Sequence, residues 1–292
     1  MDRVRNMVHA KEVYEKGFSG KQIRIALLDS GVYPHEDLGN RIVYFRDFIA
    51  NRTEPYDDYG HGTHIAGILS GNGALSGGKY AGIAPESELV VLKVLDENGN
   101  GTTETALKAL RWIKENHNRY RIRLLNFSIA YLPGVNKRDQ RRLLNAVEEL
   151  WELGIAVVTP SGNLGPSGHT VSVPGISRKV ITVGASDDRD HTRGRRGYSG
   201  RGPTDCCIVK PEILAPGTGI VSLSNTGGYV SKSGTSMAAP VVCGALALAL
   251  EYDPLLSPLL LKLQLFESVD RRFTENERCW GILHVDHLID ML

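Results

Sequence analysis

Short apolar runs alternate along this chain with segments whose apolar residues recur every three to four positions. Ile23 to Leu28 is apolar apart from Arg24 and stops at Asp29-Ser30-Gly31. Leu89 to Leu95, Ile122 to Phe127, Ile155 to Val158 and Val180 to Val183 are runs of the same kind. Between them, Thr103 to Glu115 sets Ala106, Leu110 and Ile113 on one helical face, and Arg138 to Leu153 does so with Leu143, Val147, Leu150 and Trp151 before the stop at Gly154. Buried strands alternating with amphipathic helices predict a mainly parallel sheet with helices on both faces. Met237 to Leu250 predicts a further helix, and Leu255 to Phe266 a core or covering one. Gly-, Asn- and Asp-rich loops follow several of the strands, where open parallel sheets hold their ligands.

Composition narrows the class. With 41% hydrophobic and 23% charged residues, the 292-residue chain is neither disordered nor fibrous. It shows no linker and no fixed repeat, so residues 1–292 are read as one domain. Lys+Arg (34) nearly cancel Asp+Glu (33), and a net charge of +1 gives no global attraction to nucleic acid or anionic membrane. No apolar signal core follows Met1, and no apolar run is read as a membrane span. Cys206, Cys207, Cys243 and Cys279 lack CxxC spacing and are read as thiols in a reducing compartment.

Three segments carry candidate chemistry: Asp29-Ser30-Gly31, Gly60-His61-Gly62-Thr63-His64, and Gly234-Thr235-Ser236-Met237-Ala238-Ala239-Pro240. They supply an acid, a base and a nucleophile. A serine hydroxyl needs an imidazole to take its proton, and the imidazole needs a carboxylate to fix its tautomer. Asp29 ends a buried strand, where its carboxylate can be desolvated against the imidazole. Ser236 opens a helix whose unpaired N–H groups favour negative charge, and Pro240 is read as a first-turn residue there. His61 and His64 lack an HExxH pattern, so His64 is read as a packed structural histidine. Cys243 is read as a small core residue, and the arginines Arg189, Arg193, Arg195, Arg196 and Arg201 as a solvated loop.

The order Asp…His…Ser, the blocks DSG, GHGTHIAG and GTSMAAP, and the segments GIAP (from Gly82), YSGRGPT (from Tyr198) and LAPG (from Leu214) together resemble the subtilisin-like serine proteases, or subtilases. The likeness runs nearly the whole length. It implies a three-layer α/β fold and peptide-bond hydrolysis with no cofactor for catalysis. It further implies that Asp29 orients, His61 is general base and acid, Ser236 is the nucleophile, and Asn163 of Ser161-Gly162-Asn163 donates to the oxyanion. An extended peptide would pair between Gly99-Asn100-Gly101 and Ser128-Ile129-Ala130. The latter segment departs from the usual Ser-Leu-Gly-Gly, and Ala130 and Tyr131 are expected to reshape the upstream subsites. Leu164 favours an uncharged, apolar residue at P1, on the amino side of the cut. Asp37 matches a calcium-holding aspartate of the family, although the Gly71 to Gly78 loop departs from the usual ligand spacing. Peptide or protein substrates and a separate inhibitor or regulator are the expected partners. The chain has no room for a long propeptide, which is read as pointing either to a cytoplasmic, prodomain-free protease or to the processed catalytic domain of a secreted one. The rival readings are a peptide-binding pseudoprotease of the same fold and a plain esterase.

Overall fold

The computed structural model describes residues 1–129, 136–188, 197–204, 208–271 and 279–292. Ala130, Tyr131, Cys206, Cys207 and the arginines from Arg189 to Arg196 lie outside them. Two short helices, α1 (Asp2–Met7) and α2 (Ala10–Glu15), precede the first strand, β1 (Arg24–Asp29). Then follow β2 (Ile42–Asp47), α3 (His61–Ser70), β3 (Glu88–Lys93), α4 (Thr103–Tyr120), β4 (Ile122–Phe127), α5 (Lys137–Glu152), β5 (Ala156–Pro160), β6 (Ile181–Ala185) and β7 (Ile213–Ala215). An antiparallel hairpin, β8 (Ile220–Leu223) and β9 (Tyr229–Lys232), leads into α6 (Thr235–Tyr252). The chain closes with α7 (Pro258–Ser268), β10 (Gly281–Ile282) and α8 (Val285–Asp290).

Eight strands form one sheet in the order β10-β7-β6-β5-β4-β1-β3-β2, and each pairing between neighbours is parallel. β1, β3 and β5 are buried along almost their whole length, as strands covered on both faces must be. The helix α3 packs on α6, while α4 packs on α5 and reaches β1 and β4. This is the expected parallel sheet between helical layers.

Two expectations need correction. Among the described residues one helix, α6, is long and apolar enough to cross a membrane, yet most of it is enclosed in the core, against β4 to β7. Its uniform apolarity is that of a helix buried on every side. Pro240 is not in the first turn either, because α6 begins at Thr235. It therefore costs an intrahelical hydrogen bond from the second turn, a loss the surrounding packing must offset.

Helix α4 also runs past the expected Glu115. Its last turn is held by the Asn116 side chain on the Trp112 carbonyl (2.9 Å) and by Tyr120 packed on Tyr44 and Trp112. It ends at Arg121, in the left-handed region with φ 51°.

Candidate active site

The three chemical segments meet beyond the C-terminal ends of β1, β4 and β5. Asp29 is the last residue of β1 and is fully buried (0% exposed). Its Oδ1 accepts from the Ser30 N–H (2.7 Å), and His61 Nδ1 donates to the same carboxylate at 2.8 Å to Oδ1 and 2.9 Å to Oδ2. Fixing Nδ1–H on Asp29 leaves Nε2 as the free, proton-accepting nitrogen of the neutral ring.

The glycines around His61 are demanded by close approach. A Cβ on Gly62 would sit 2.1 Å from the Gly31 carbonyl oxygen and 3.1 Å from the Asp29 Cβ. Only glycine lets the start of α3 come down on the end of β1. Gly60, at φ +82°, carries the chain into the helix with Asn225 pressed against it.

What anchors this helix start is Asp57, which the sequence reading did not single out. Its Oδ1 accepts from Gly60 N–H (2.8 Å), Tyr59 N–H (3.2 Å) and Ser30 Oγ (2.8 Å); its Oδ2 accepts from Thr63 N–H (2.8 Å) and Thr63 Oγ1 (2.6 Å). Ser30 Oγ in turn accepts from the Gly62 N–H (2.9 Å), so one carboxylate ties the turn after Asp29 to the turn before His61. The only signal in the sequence was an acid a few residues ahead of an apolar helix. Burial raises the Asp57 pKa, but the Thr63 and Gly60 hydrogen bonds outweigh it and hold the group below its ordinary value. A depressed carboxylate stabilises the fold above its unfolded pKa of about 4, and that contribution disappears as pH falls through the lower folded value. Asp57→Ala is expected to cost about 3 kcal/mol at pH 7, because several buried donors lose a charged acceptor together. Denaturant melts at pH 7 and at pH 3 check this, since the deficit shrinks on the acid side.

Ser236 lies in the first turn of α6, where backbone N–H groups have no intrahelical partner. Its Oγ donates a long hydrogen bond to the Ser128 carbonyl (3.4 Å). Among the described residues no hydrogen bond joins that Oγ to His61. Asn163 follows β5 and is turned by Thr235, whose N–H and Oγ1 both donate to Asn163 Oδ1 at 3.0 Å. With its oxygen so engaged, the amide presents Nδ2 as a donor, 3.3 Å from where a Gly234 Cβ would stand. Asp29, His61, Ser236, Asn163 and Ser128 are thus gathered at one end of the sheet.

The cleft walls are partly those expected. Ser128 and Ile129 continue β4, with Ser128 Oγ accepting from Asn126 Nδ2, while Ala130 falls outside the described residues. Leu164 is 44% exposed beside Asn163. Gly99, Asn100 and Gly101 form a turn closed on Asp96, which accepts from the Asn100 N–H (2.8 Å). A Cβ on Gly99 would meet the Tyr59 ring at 2.5 Å, so Tyr59 joins this turn to the histidine segment. Tyr59 was not among the expected site residues.

His64 is buried, with Nε2 on the Ile220 and Val230 carbonyls, and desolvation pushes its pKa down to about 3. It is a neutral structural histidine. Asp37 is fully buried too, and both its oxygens are engaged: Oδ1 by the Leu75 N–H (2.9 Å) and Oδ2 by the Tyr229 hydroxyl (2.6 Å). Asn72 Oδ1 is taken by the Ala74 N–H. This loop closes on protein donors, so an ion there would have to share oxygens that already accept hydrogen bonds. Among the described residues no cluster of three metal-ligating side chains occurs.

The subtilase family model matches residues 20–279. The chain belongs to the subtilase family. It is a serine endopeptidase. The subtilase is 38% identical over 305 residues to the serine protease AprX of Bacillus subtilis (strain 168), across 96% of this chain and 69% of that one. The major intracellular serine protease of the same organism is 32% identical over 280 residues, across 93% and 78% of the two chains. A cold-adapted subtilisin-like serine proteinase superposes with a TM-score of 0.76 at 28% identity, covering 92% and 90%.

Proposed function

We propose that residues 1–292 of this subtilase act as a single catalytic domain cutting peptide bonds with Ser236 as nucleophile, His61 as general base and acid, and Asp29 as the group orienting it. His61 Nε2 takes the Ser236 proton as Oγ attacks the scissile carbonyl, then gives it to the leaving amine; water repeats the sequence on the acyl-enzyme. Asn163 Nδ2 and the Ser236 N–H hold the oxyanion. The observation that carries the reading is the short pair between His61 Nδ1 and the buried Asp29 carboxylate, which leaves Nε2 free for the hydroxyl. In this reading the hydrogen bond between Ser236 Oγ and His61 Nε2 forms with substrate bound, as catalytic hydrogen bonds often tighten only then.

In the same reading Gly99, Asn100, Gly101, Ser128, Ile129 and Ala130 pair with the substrate backbone, and Leu164 gives an apolar P1 preference. The free, buried Cys243 thiol supports action in a reducing cytoplasm. An active-site serine phosphonate is expected to label the protein stoichiometrically and to leave folded Ser236→Ala unlabelled. Labelling that survives in that variant refutes the reading.

Calcium at Asp37 is not part of it, given the occupied oxygens. Excess EDTA is expected to move Tm by less than about 1 °C, whereas an ion held at 100 times its Kd would contribute about 2.7 kcal/mol and several degrees.

A further inference from the structure

Lys232, the last residue of β9, brings a cation to the histidine side of the site. Its Nζ donates to the carbonyl of Gly60, the residue before His61, at 2.9 Å, and stands 5.8 Å from the centre of the Tyr59 ring. Among the described residues no carboxylate lies within ion-pair distance of it. One of its three N–H donors is spent on Gly60, and the side chain is only half-buried. An unpaired ammonium held beside a catalytic imidazole is costly in two ways. Burial lowers the Lys232 pKa, against the pull of Asp57 and Asp29, and its charge opposes protonation of His61. Such a cation is better placed when an anion arrives with the substrate.

The direction of the substrate follows from the proposed mechanism, on which this inference rests. The acyl half is held where Ser128 and Asn163 leave β4 and β5. The leaving amine takes its proton from His61, so the residue after the cut passes along the imidazole. Every contact of Lys232 named here is with the segment carrying that imidazole. We infer that Lys232 is a specificity-determining residue that recognises an acidic side chain on the residue immediately following the scissile bond.

Three internally quenched peptides, identical except for Glu, Gln or Lys directly after the cut, test this at low salt. For the unaltered protein, kcat/KM is expected to favour Glu over Lys about 10-fold or more, with the margin shrinking as salt rises. Lys232→Met brings the ratio near one, Lys232→Glu inverts it, and Lys232→Arg keeps it. Melting temperatures identify any variant that fails to fold, and the Arg variant then carries the test together with the salt dependence. A Glu-to-Lys ratio near one in the unaltered protein, or one unchanged in folded Lys232→Met, overturns the inference while cleavage of the Gln peptide upholds the mechanism. Failure to cleave any of the three, with no phosphonate labelling, overturns both.

Discussion

His61→Ala is expected to lower kcat by about 10⁶ with a much smaller change in KM. Without the imidazole, the acceptor that the Ser236 Oγ reaches among the described residues is the Ser128 carbonyl, which cannot be a base. The effect is non-additive: the double variant His61→Ala, Ser236→Ala should be no slower than either single one, because a base without a nucleophile and a nucleophile without a base are equally idle. A residual rate above that in water should persist, carried by Asn163 and the first-turn N–H of α6. The variant should still fold. The start of α3 is fixed by Asp57, Ser30 and Thr63 rather than by the ring of His61, which is 19% exposed. A chromogenic peptide assay beside a thermal melt checks both halves. A kcat loss below about 100-fold would remove His61 from the role of base.

Asp29→Asn is expected to cost about 10⁴ in kcat at pH 7 to 8. Its amide NH2 can face His61 Nδ1 and so favour the tautomer with the proton on Nε2, where it blocks deprotonation of the serine. The pH dependence separates this from a general loss of structure. Burial lowers the His61 pKa most, but the charge of Asp29 and its hydrogen bond together raise it above the ordinary value. Activity needs the neutral ring, so it is lost as pH falls through that raised pKa. Removing the carboxylate leaves burial and the charge of Lys232, which lower the pKa, against only the weaker pull of the Asp57 charge. The acid limb of kcat/KM in Asp29→Asn must therefore move to lower pH, even as the plateau falls. A limb that stays in place or moves upward would show that Asp29 does not set the charge of His61.

The central strands were legible because a strand buried on both faces is an apolar run. β4 begins and ends where the sequence reading set it, and β1, β3, β5 and β6 differ only by short shifts at their ends. β2 escaped because it is an edge strand, partly exposed at Ile42, Val43, Tyr44 and Arg46 and carrying arginine. β7 and β10 are too short to show a period, and the β8–β9 hairpin exists by packing on α3. The residues proposed to perform the chemistry stood out by type and spacing. The residues that hold them did not: Asp57 looks like any loop acid, and its role comes from bringing together Ser30, Gly60 and Thr63, which no periodicity links.

By itself the sequence determined the sheet-and-helix class and the family, and it singled out Asp29, His61, Ser236 and Asn163, on which the proposed chemistry rests. These are local properties, carried by runs of apolar residues and by short motifs whose glycines admit one close approach. The tertiary structure decided which groups are already satisfied and which remain available. Thr235 turns the Asn163 amide toward the cleft, Tyr229 and Leu75 occupy the carboxylate expected to hold calcium, and Gly60 fixes an unpaired Lys232 beside His61. Each of those outcomes depends on a hydrogen bond between residues far apart in the chain, and such bonds exist only once the sheet has set their distances.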